Sequence, residues 1–265
     1  MTHLTHGWEP DLPAGDTVLR DFTDAWAGSL AGPVLAGGGT VRREAGLVVI
    51  DPGRAMGYWT STVVVEPPPY GEGWDAVAAA AEVAVPAGRG EVHLWSPWPT
   101  PDLTGRGWRL SGHPPVLYRP PGGPLPTPAP DLEVTEVRDA ADLAAWERLV
   151  VEGYPFPELQ PYRPGVLFGP EVLGTAMRLW LGRVAGRPVG AAASYVAGGL
   201  HVAAMGVVLP EARRRGYWET LLRVRLEAYP DLASASLFSD MSRPGAQRHG
   251  YHPLSRWTLW TRPTG

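Results

Sequence analysis

The sequence predicts an α/β protein of the α+β kind, with mixed sheets in two tandem halves joined by a proline-rich linker. Three observations predict it. A proline-rich segment, Arg119-Pro-Pro-Gly-Gly-Pro-Leu-Pro-Thr-Pro-Ala-Pro-Asp131, cuts the 265-residue chain near its middle. The sequence matches itself without a gap at a shift of 143 positions. The second half alternates strand-like and helix-like apolar patterns.

Six prolines between positions 120 and 130 leave no route for a helix or a central strand, so this segment reads as an extended, semi-rigid linker. At about 3.1 Å per residue its eleven residues reach roughly 34 Å, enough to cross one domain face. The expected division is 1–119, linker 120–130, and 131–265. Under the 143-residue shift, Val64-Val65-x-Pro67 falls on Val207-Val208-x-Pro210, and Gly73 falls on Gly216. Leu94-x-Ser96 falls on Leu237-x-Ser239, Gly107-Trp108 on Gly250-Tyr251, and Arg119-Pro120 on Arg262-Pro263. Positions 64–122 carry 11 identities in this one register, which reads as a duplicated domain rather than a short-period solenoid.

The second half is the more legible copy. Leu132 to Val137 is a strand, and Asp139 is the N-cap of a helix through about Val151, with Leu143, Trp146, Leu149 and Val150 at helical spacing. A proline-rich loop, Tyr154 to Pro164, precedes a short helix over Pro170 to Met177. Leu179 to Val184 and Val189 to Val196 are strands around the Ala185-Gly186-Arg187 turn. Gly198-Gly199 turns the chain into the strand Leu200 to Leu209. A helix from Tyr217 to Ala228 and strands at Ala233 to Phe238 and Leu254 to Trp260 complete it. The order β-α-α-β-β-β-α-β-α-β implies a mixed sheet with helices on both faces.

Composition narrows the function. The chain has no cysteine, which excludes disulfides, thiolate metal sites and a cysteine nucleophile. A net charge of -4 argues against nucleic acid as the main partner. The start has no basic segment ahead of an apolar stretch, and no apolar run approaches a membrane span, so a soluble cytoplasmic protein is expected. All 23 basic residues are arginine. Phosphate recognition must therefore come from Arg or backbone N–H groups.

The informative segment is Val207-Val208-Leu209-Pro210-Glu211-Ala212-Arg213-Arg214-Arg215-Gly216-Tyr217-Trp218. A strand ends at Pro210, an arginine-rich turn follows, and Gly216 opens an amphipathic helix. The first turn of a helix has unpaired N–H groups and the positive end of the dipole, so it suits an anion. Glycine there admits a phosphate close to the backbone. The competing reading is a solvated basic turn.

This segment resembles the pyrophosphate-binding loop of the GCN5-related N-acetyltransferases, Arg/Gln-x-x-Gly-x-Gly/Ala after a strand. Arg213 and Gly216 match, and Trp218 stands where the family prefers glycine or alanine. Phe238-Ser239-Asp240-Met241-Ser242-Arg243-Pro244 through Gly250-Tyr251 resembles the family's following strand, helix and terminal Gly-aromatic pair. The resemblance implies two tandem acetyltransferase-like domains, the first copy degenerate, and acyl transfer from acetyl-CoA to a small-molecule or peptide amine. It implies that the strands Leu200–Leu209 and Ala233–Phe238 splay around the pantetheine arm, with Val207 and Val208 pairing with it. Arg213, Arg214, Arg215, Gly216, Tyr217 and Trp218 would hold the pyrophosphate. The family's proton-donating tyrosine, four residues before the Gly-aromatic pair, is here Ala246.

Catalytic candidates are Glu152, at the end of the first helix of this half, His201, on the strand before the loop, and Tyr251, near the position of the missing acid. Asp240 reads as a helix cap. His3-x-x-His6 and His249-x-x-His252 have metal spacing but sit in a terminus and a turn. Tyr58, Trp59, Trp95 and Trp98 are candidates for lining an acceptor pocket. In the first copy Pro68 to Gly73 aligns with the loop but has no arginine. The rival reading is a catalytically silent CoA- or ligand-binding protein. A pseudo-dimer within one chain is compatible with a monomer or a homodimer.

Overall fold

The computed structural model describes residues 18–68, 73–154 and 156–264. Helix α1 (Val18–Ala36) carries Phe22, Trp26, Leu30 and Val34 at every fourth position, so one stripe is apolar, and all four are buried. The hairpin β1 (Thr40–Glu44) and β2 (Leu47–Asp51) follows, then β3 (Ser61–Val64), α2 (Gly73–Ala84), β4 (Glu91–Ser96), β5 (Arg109–Gly112) and β6 (Pro115–Arg119). The second half runs β7 (Glu133–Glu136), α3 (Ala140–Gly153), β8 (Arg178–Val184), β9 (Arg187–Ala197) and β10 (Leu200–Val208). It continues with α4 (Tyr217–Glu227), β11 (Ala233–Leu237), α5 (Arg243–Arg248), β12 (His252–Arg256) and β13 (Thr258–Pro263). Asp139 caps α3 as its sequence position implies, its carboxylate accepting from the Asp142 N–H at 2.9 Å.

Two expectations about elements change. Pro170–Gly174 forms a 3-10 turn rather than an α-helix. The single strand expected over Leu254–Trp260 is two strands broken at Trp257, and the break has a topological cause. The first sheet has the order β1-β2-β3-β4-β13-β5 and the second β12-β6-β11-β10-β9-β8-β7. The last strand of each half therefore lies in the sheet of the other. β6 pairs with β11 from Ser234↔Arg119 to Leu237↔Val116, and β13 pairs with β4 from Thr258↔Ser96 to Pro263↔Glu91. Trp257 is the residue at which the chain leaves one sheet for the other. A division at the proline-rich segment into 1–119 and 131–265 does not separate the sheets, because hydrogen bonding places 115–119 with the second half and 258–263 with the first.

The crossing segments touch each other. Trp257 N–H donates to the Pro114 carbonyl at 3.1 Å, and Arg256 Nη1 donates to the His113 carbonyl at 2.6 Å. Positions 113–115 and 256–258 are equivalent under the 143-residue shift, so equivalent segments meet at a pseudo-twofold axis, as in an isologous interface. The same shift lays β3, α2, β4, β5 and β6 on β10, α4, β11, β12 and β13.

One apolar core runs through both halves. It joins Phe22, Trp26, Ile50, Trp59, Val63 and Trp95 to Trp146, Leu181, Ala191, Val202 and Trp257. Helix α1 packs against β1 and β2 of the first sheet and β9, β10 and β11 of the second. Gly28 permits this approach: a Cβ there would lie 2.8 Å from the Tyr195 hydroxyl. The linker forms neither helix nor strand. It runs from β6 to β7 over α4, held by Arg223 Nη1 on the Pro126 carbonyl (2.9 Å) and the Ala129 N–H on Thr220 Oγ1 (2.8 Å). Both of its ends thus lie on the second sheet. Among the described residues no helix is long and apolar enough to cross a membrane, and no cluster of His, Asp and Glu could hold a metal. His3, His6 and residues 69–72 lie outside the described residues.

Because each sheet needs a strand from the other half, fragments 1–125 and 126–265 expressed separately are expected to show no cooperative thermal transition by circular dichroism. Co-expression should restore one. A cooperative transition in either fragment alone would contradict the interlock.

Candidate active site

The second sheet opens between its two parallel strands. β10 and β11 keep register for three residues, Leu200↔Ala233 to Val202↔Ala235, and part beyond them. A bulge on β10 assists: its register with β9 passes from Ala204↔Ala193 to Val207↔Ala191, with Met205 at φ 47°. A bulge inserts one unpaired residue and bends its strand. β11 stays with β6 along the same stretch, so β10 departs while β11 is held.

Carbonyls along the diverging part of β10 take side-chain donors instead of a neighbouring strand. Ser236 Oγ donates to Ala203 O (2.5 Å), Arg225 Nη1 to Ala204 O (3.1 Å), the Tyr154 hydroxyl to Gly206 O (3.2 Å) and Arg213 Nε to Val208 O (3.0 Å). Val207 and Val208 themselves pair with Ala191 and Gly190 of β9.

Past β10, a 3-10 turn at Pro210–Ala212 leads into the arginines. Arg214 (φ 64°) and Gly216 (φ 78°) are left-handed, and α4 starts at Tyr217 with no side chain capping it. Its first N–H groups are thus available to an anion. Arg214 and Arg215 are exposed beside it, whereas Arg213 folds back onto Val208. Two contacts fix the helix start to the linker: the Tyr217 hydroxyl donates to Asp131 at 2.6 Å, and Thr220 bridges Gly216 O and Ala129 N–H. Tyr217 is buried, and its hydroxyl bond to Asp131 holds its pKa above the ordinary value. Trp218 turns inward and packs between the sheet and α5, so its ring is not part of the loop surface.

The three catalytic candidates are not brought together. Glu152 is exposed at the end of α3 and pairs with Arg148 at 3.3 Å. His201 sits on the closed part of β10, fully buried, with Nε2 3.0 Å from Ser194 Oγ and its ring 5.0 Å from Tyr229. Burial, with Arg225 nearby, depresses its pKa to about 3. Tyr251 is buried with its hydroxyl 2.7 Å from Ser234 Oγ, also at the closed end, and burial raises its pKa. Asp240 binds Arg256 at 2.8 Å instead of capping α5.

The side chains at the bulge are others. Tyr154 reaches Gly206, and its ring meets Tyr58 (6.4 Å) and Phe156 (5.7 Å). Tyr58 in turn contacts Trp95 (5.6 Å) and His93 (5.1 Å), so the first half supplies part of this wall. Of the aromatic residues expected there, Tyr58 and Trp95 take part, while Trp59 packs on Phe168 and Trp98 joins a separate core. Burial pushes the Tyr154 hydroxyl well above its usual pKa, so it stays protonated at neutral pH. Burial likewise raises the carboxyl pKa of Glu158, beside Tyr58. Tyr154 and Arg225 carry no motif; only their placement reveals them.

The stretch from Tyr162 to Phe168, further along the chain from Tyr154 and Phe156, is anchored on Glu147, 1% exposed on α3. Its carboxylate accepts from the Tyr162 hydroxyl (3.0 Å) and the N–H groups of Gly165 (2.7 Å), Leu167 (2.5 Å) and Phe168 (3.0 Å).

No protein-family model and no curated protein matches the chain. Solved structures do. A GCN5-related N-acetyltransferase from Kribbella flavida matches with TM-score 0.63 and 18% identity over 94% of this chain and 97% of its own. A putative GNAT-family acetyltransferase from Novosphingobium aromaticivorans matches with TM-score 0.54 and 17% identity over 88% and 96%. A tandem GNAT protein from the clavulanic acid biosynthesis pathway matches with TM-score 0.52 and 16% identity over 86% and 79%. The chain has the fold of the GCN5-related N-acetyltransferases, in its tandem form.

Two outcomes follow from the buried groups. Glu147→Leu leaves three backbone N–H groups without an acceptor, at about 1–3 kcal/mol each. A loss of about 3 kcal/mol or more in urea unfolding is expected, with Glu147→Gln losing less. His201 and His93, depressed to about 3 and about 4, are held neutral by burial. Their stability contribution is intact above pH 6.5 and is lost as the pH falls from 6.5 towards those values. His201→Gln should therefore flatten the stability–pH slope between pH 6 and 4 by about 1.4 kcal/mol per unit. An unchanged slope would rule out a neutral buried His201.

Proposed function

We propose that the chain is an acetyl-CoA-dependent N-acetyltransferase acting on a small-molecule or peptide amine, with the co-substrate bound by the second half. The observation that carries this reading is the opening between β10 and β11 ending at an uncapped helix start flanked by arginines. In this reading the N–H groups from Arg215 to Trp218 receive the pyrophosphate, Gly216 leaves room for it, and Arg214 and Arg215 add charge. Arg213 acts indirectly, by tying the loop to Val208. Val207 and Val208 form the strand end that leads to the loop. When bound, acetyl-CoA supplies a thioester carbonyl for attack by a deprotonated amine. The chain's part is to orient and to manage protons. The Tyr154 hydroxyl, held at the bulge by Gly206 O, is the group we assign to protonating the departing CoA thiolate in place of the absent tyrosine at Ala246, while the proton lost by the amine passes to solvent. The amine approaches along the wall of Tyr58, Phe156 and Trp95.

Acetyl-CoA at 100 times its dissociation constant should add about 2.7 kcal/mol of stability. That corresponds to a rise in melting temperature of roughly 5–10 °C for a chain of this size. Arg214→Ala/Arg215→Ala should shrink the shift at fixed ligand. Absence of any shift at millimolar acetyl-CoA, both in the wild type and with the Trp218 indole removed, would refute the reading and leave a catalytically silent scaffold.

A further inference from the structure

The space beside the β10 bulge is filled by the chain itself. Trp218, the second residue of α4, packs against the cluster containing Val208 of β10 and also against the cluster containing Phe238, just past β11. Its Nε1 lies 3.3 Å from the point where a Cβ on Gly206 would stand, at the bulge. At its far edge, Cζ3 lies 3.1 Å from the corresponding point on Gly245, in α5. The indole thus spans from the bulge to the helix that follows β11. Both residues it passes between are glycines, and a Cβ on either would press on it. Arg225, seven residues along α4 and so on the same helix face, fills the space behind. It is 2% exposed, donates from Nε to Leu221 O (3.0 Å) and from Nη1 to Ala204 O, and its Nη2 lies 3.3 Å from the same Gly206 point.

We infer that Trp218 is a plug in the pantetheine slot, and that the slot admits its ligand only when the indole swings out of the gap between Gly206 and Gly245. This rests on the acetyl-CoA reading above. A pantetheine arm lying along β10 would need the volume beside Gly206, and two heavy-atom groups cannot share it. The affinity of a site competent only in a minor conformation is reduced by that conformer's population. A ring closed in all but about one molecule in a hundred would weaken binding about a hundredfold. The Trp218 indole then sets co-substrate affinity by excluding the pantetheine arm, while the residue's backbone N–H remains with the pyrophosphate. Arg225 remains as the fixed back wall, because its guanidinium supplies the donor for Ala204 O.

The test is calorimetric titration of the full chain with coenzyme A, for the wild type, Trp218→Ala and Trp218→Leu. Leucine keeps an apolar filling between the two clusters if alanine loosens the fold, and unliganded melting temperatures report on that. The plug predicts that whichever variant melts cooperatively binds coenzyme A at least tenfold more tightly than the wild type. Equal or weaker binding by the folded variant, with the wild type binding, would overturn the plug and leave the co-substrate reading intact. Binding by neither at millimolar coenzyme A would overturn both. Binding by the variants alone would support both and identify the wild type as closed.

Discussion

The exchange of closing strands is the constraint on which the rest of this structure depends. A sheet buries its apolar face only when its interior edges are paired, and here each sheet is completed by five or six residues from the opposite half. Val116 and Leu117 of β6 are fully buried in the second sheet, and Trp257 and Trp260 are buried where the chain enters the first. The site inherits this arrangement. β11 can hold its course while β10 bends away because β6, a first-half strand, pairs along it from Ser234 to Leu237. The first half is thus a structural part of the second half's opening, and through Tyr58 and Trp95 it also supplies part of the aromatic wall around Tyr154.

Polar groups then decide what the opening can be. A strand that leaves its neighbour exposes carbonyls, and buried carbonyls need donors. On β10 the donors come from four different places: β11, α4, the end of α3 and the arginine loop. Each satisfies one carbonyl and in doing so ties that element to the bulge. Glu147 does the same for the proline-rich loop, where one buried carboxylate replaces the hydrogen bonds that a helix would have made.

Much of this was legible in the sequence. Asp139 announced the start of α3, the 143-residue register aligned five elements of each half, and Gly216 marked the start of α4 with its left-handed backbone. These features are local, or repeat a local pattern, so they can be read without knowing the fold. Partnership across the axis is not local. The apolar run after Pro253 reads the same whichever sheet receives it, so β12 and β13 merged into one expected strand. His201 and Tyr251 looked like site residues because they neighbour the site in sequence. The parallel pairing of β10 with β11 places them at its closed end instead. The direction of the Trp218 ring was not legible, because its position in the motif says nothing about which way the ring turns.

The strand exchange also sets a timetable for the nascent chain. β4 and β5 emerge early, but the strand that lies between them is β13 (Thr258–Pro263), which is made only after the rest of the second sheet. The ordinary vectorial order, in which an amino-terminal domain folds while the remainder is being synthesised, is closed to this chain. Its first sheet carries two unpaired inner edges until β13 has been synthesised. Premature termination anywhere upstream of β13 leaves those edges open to other chains, a liability that the arrival of this one strand removes.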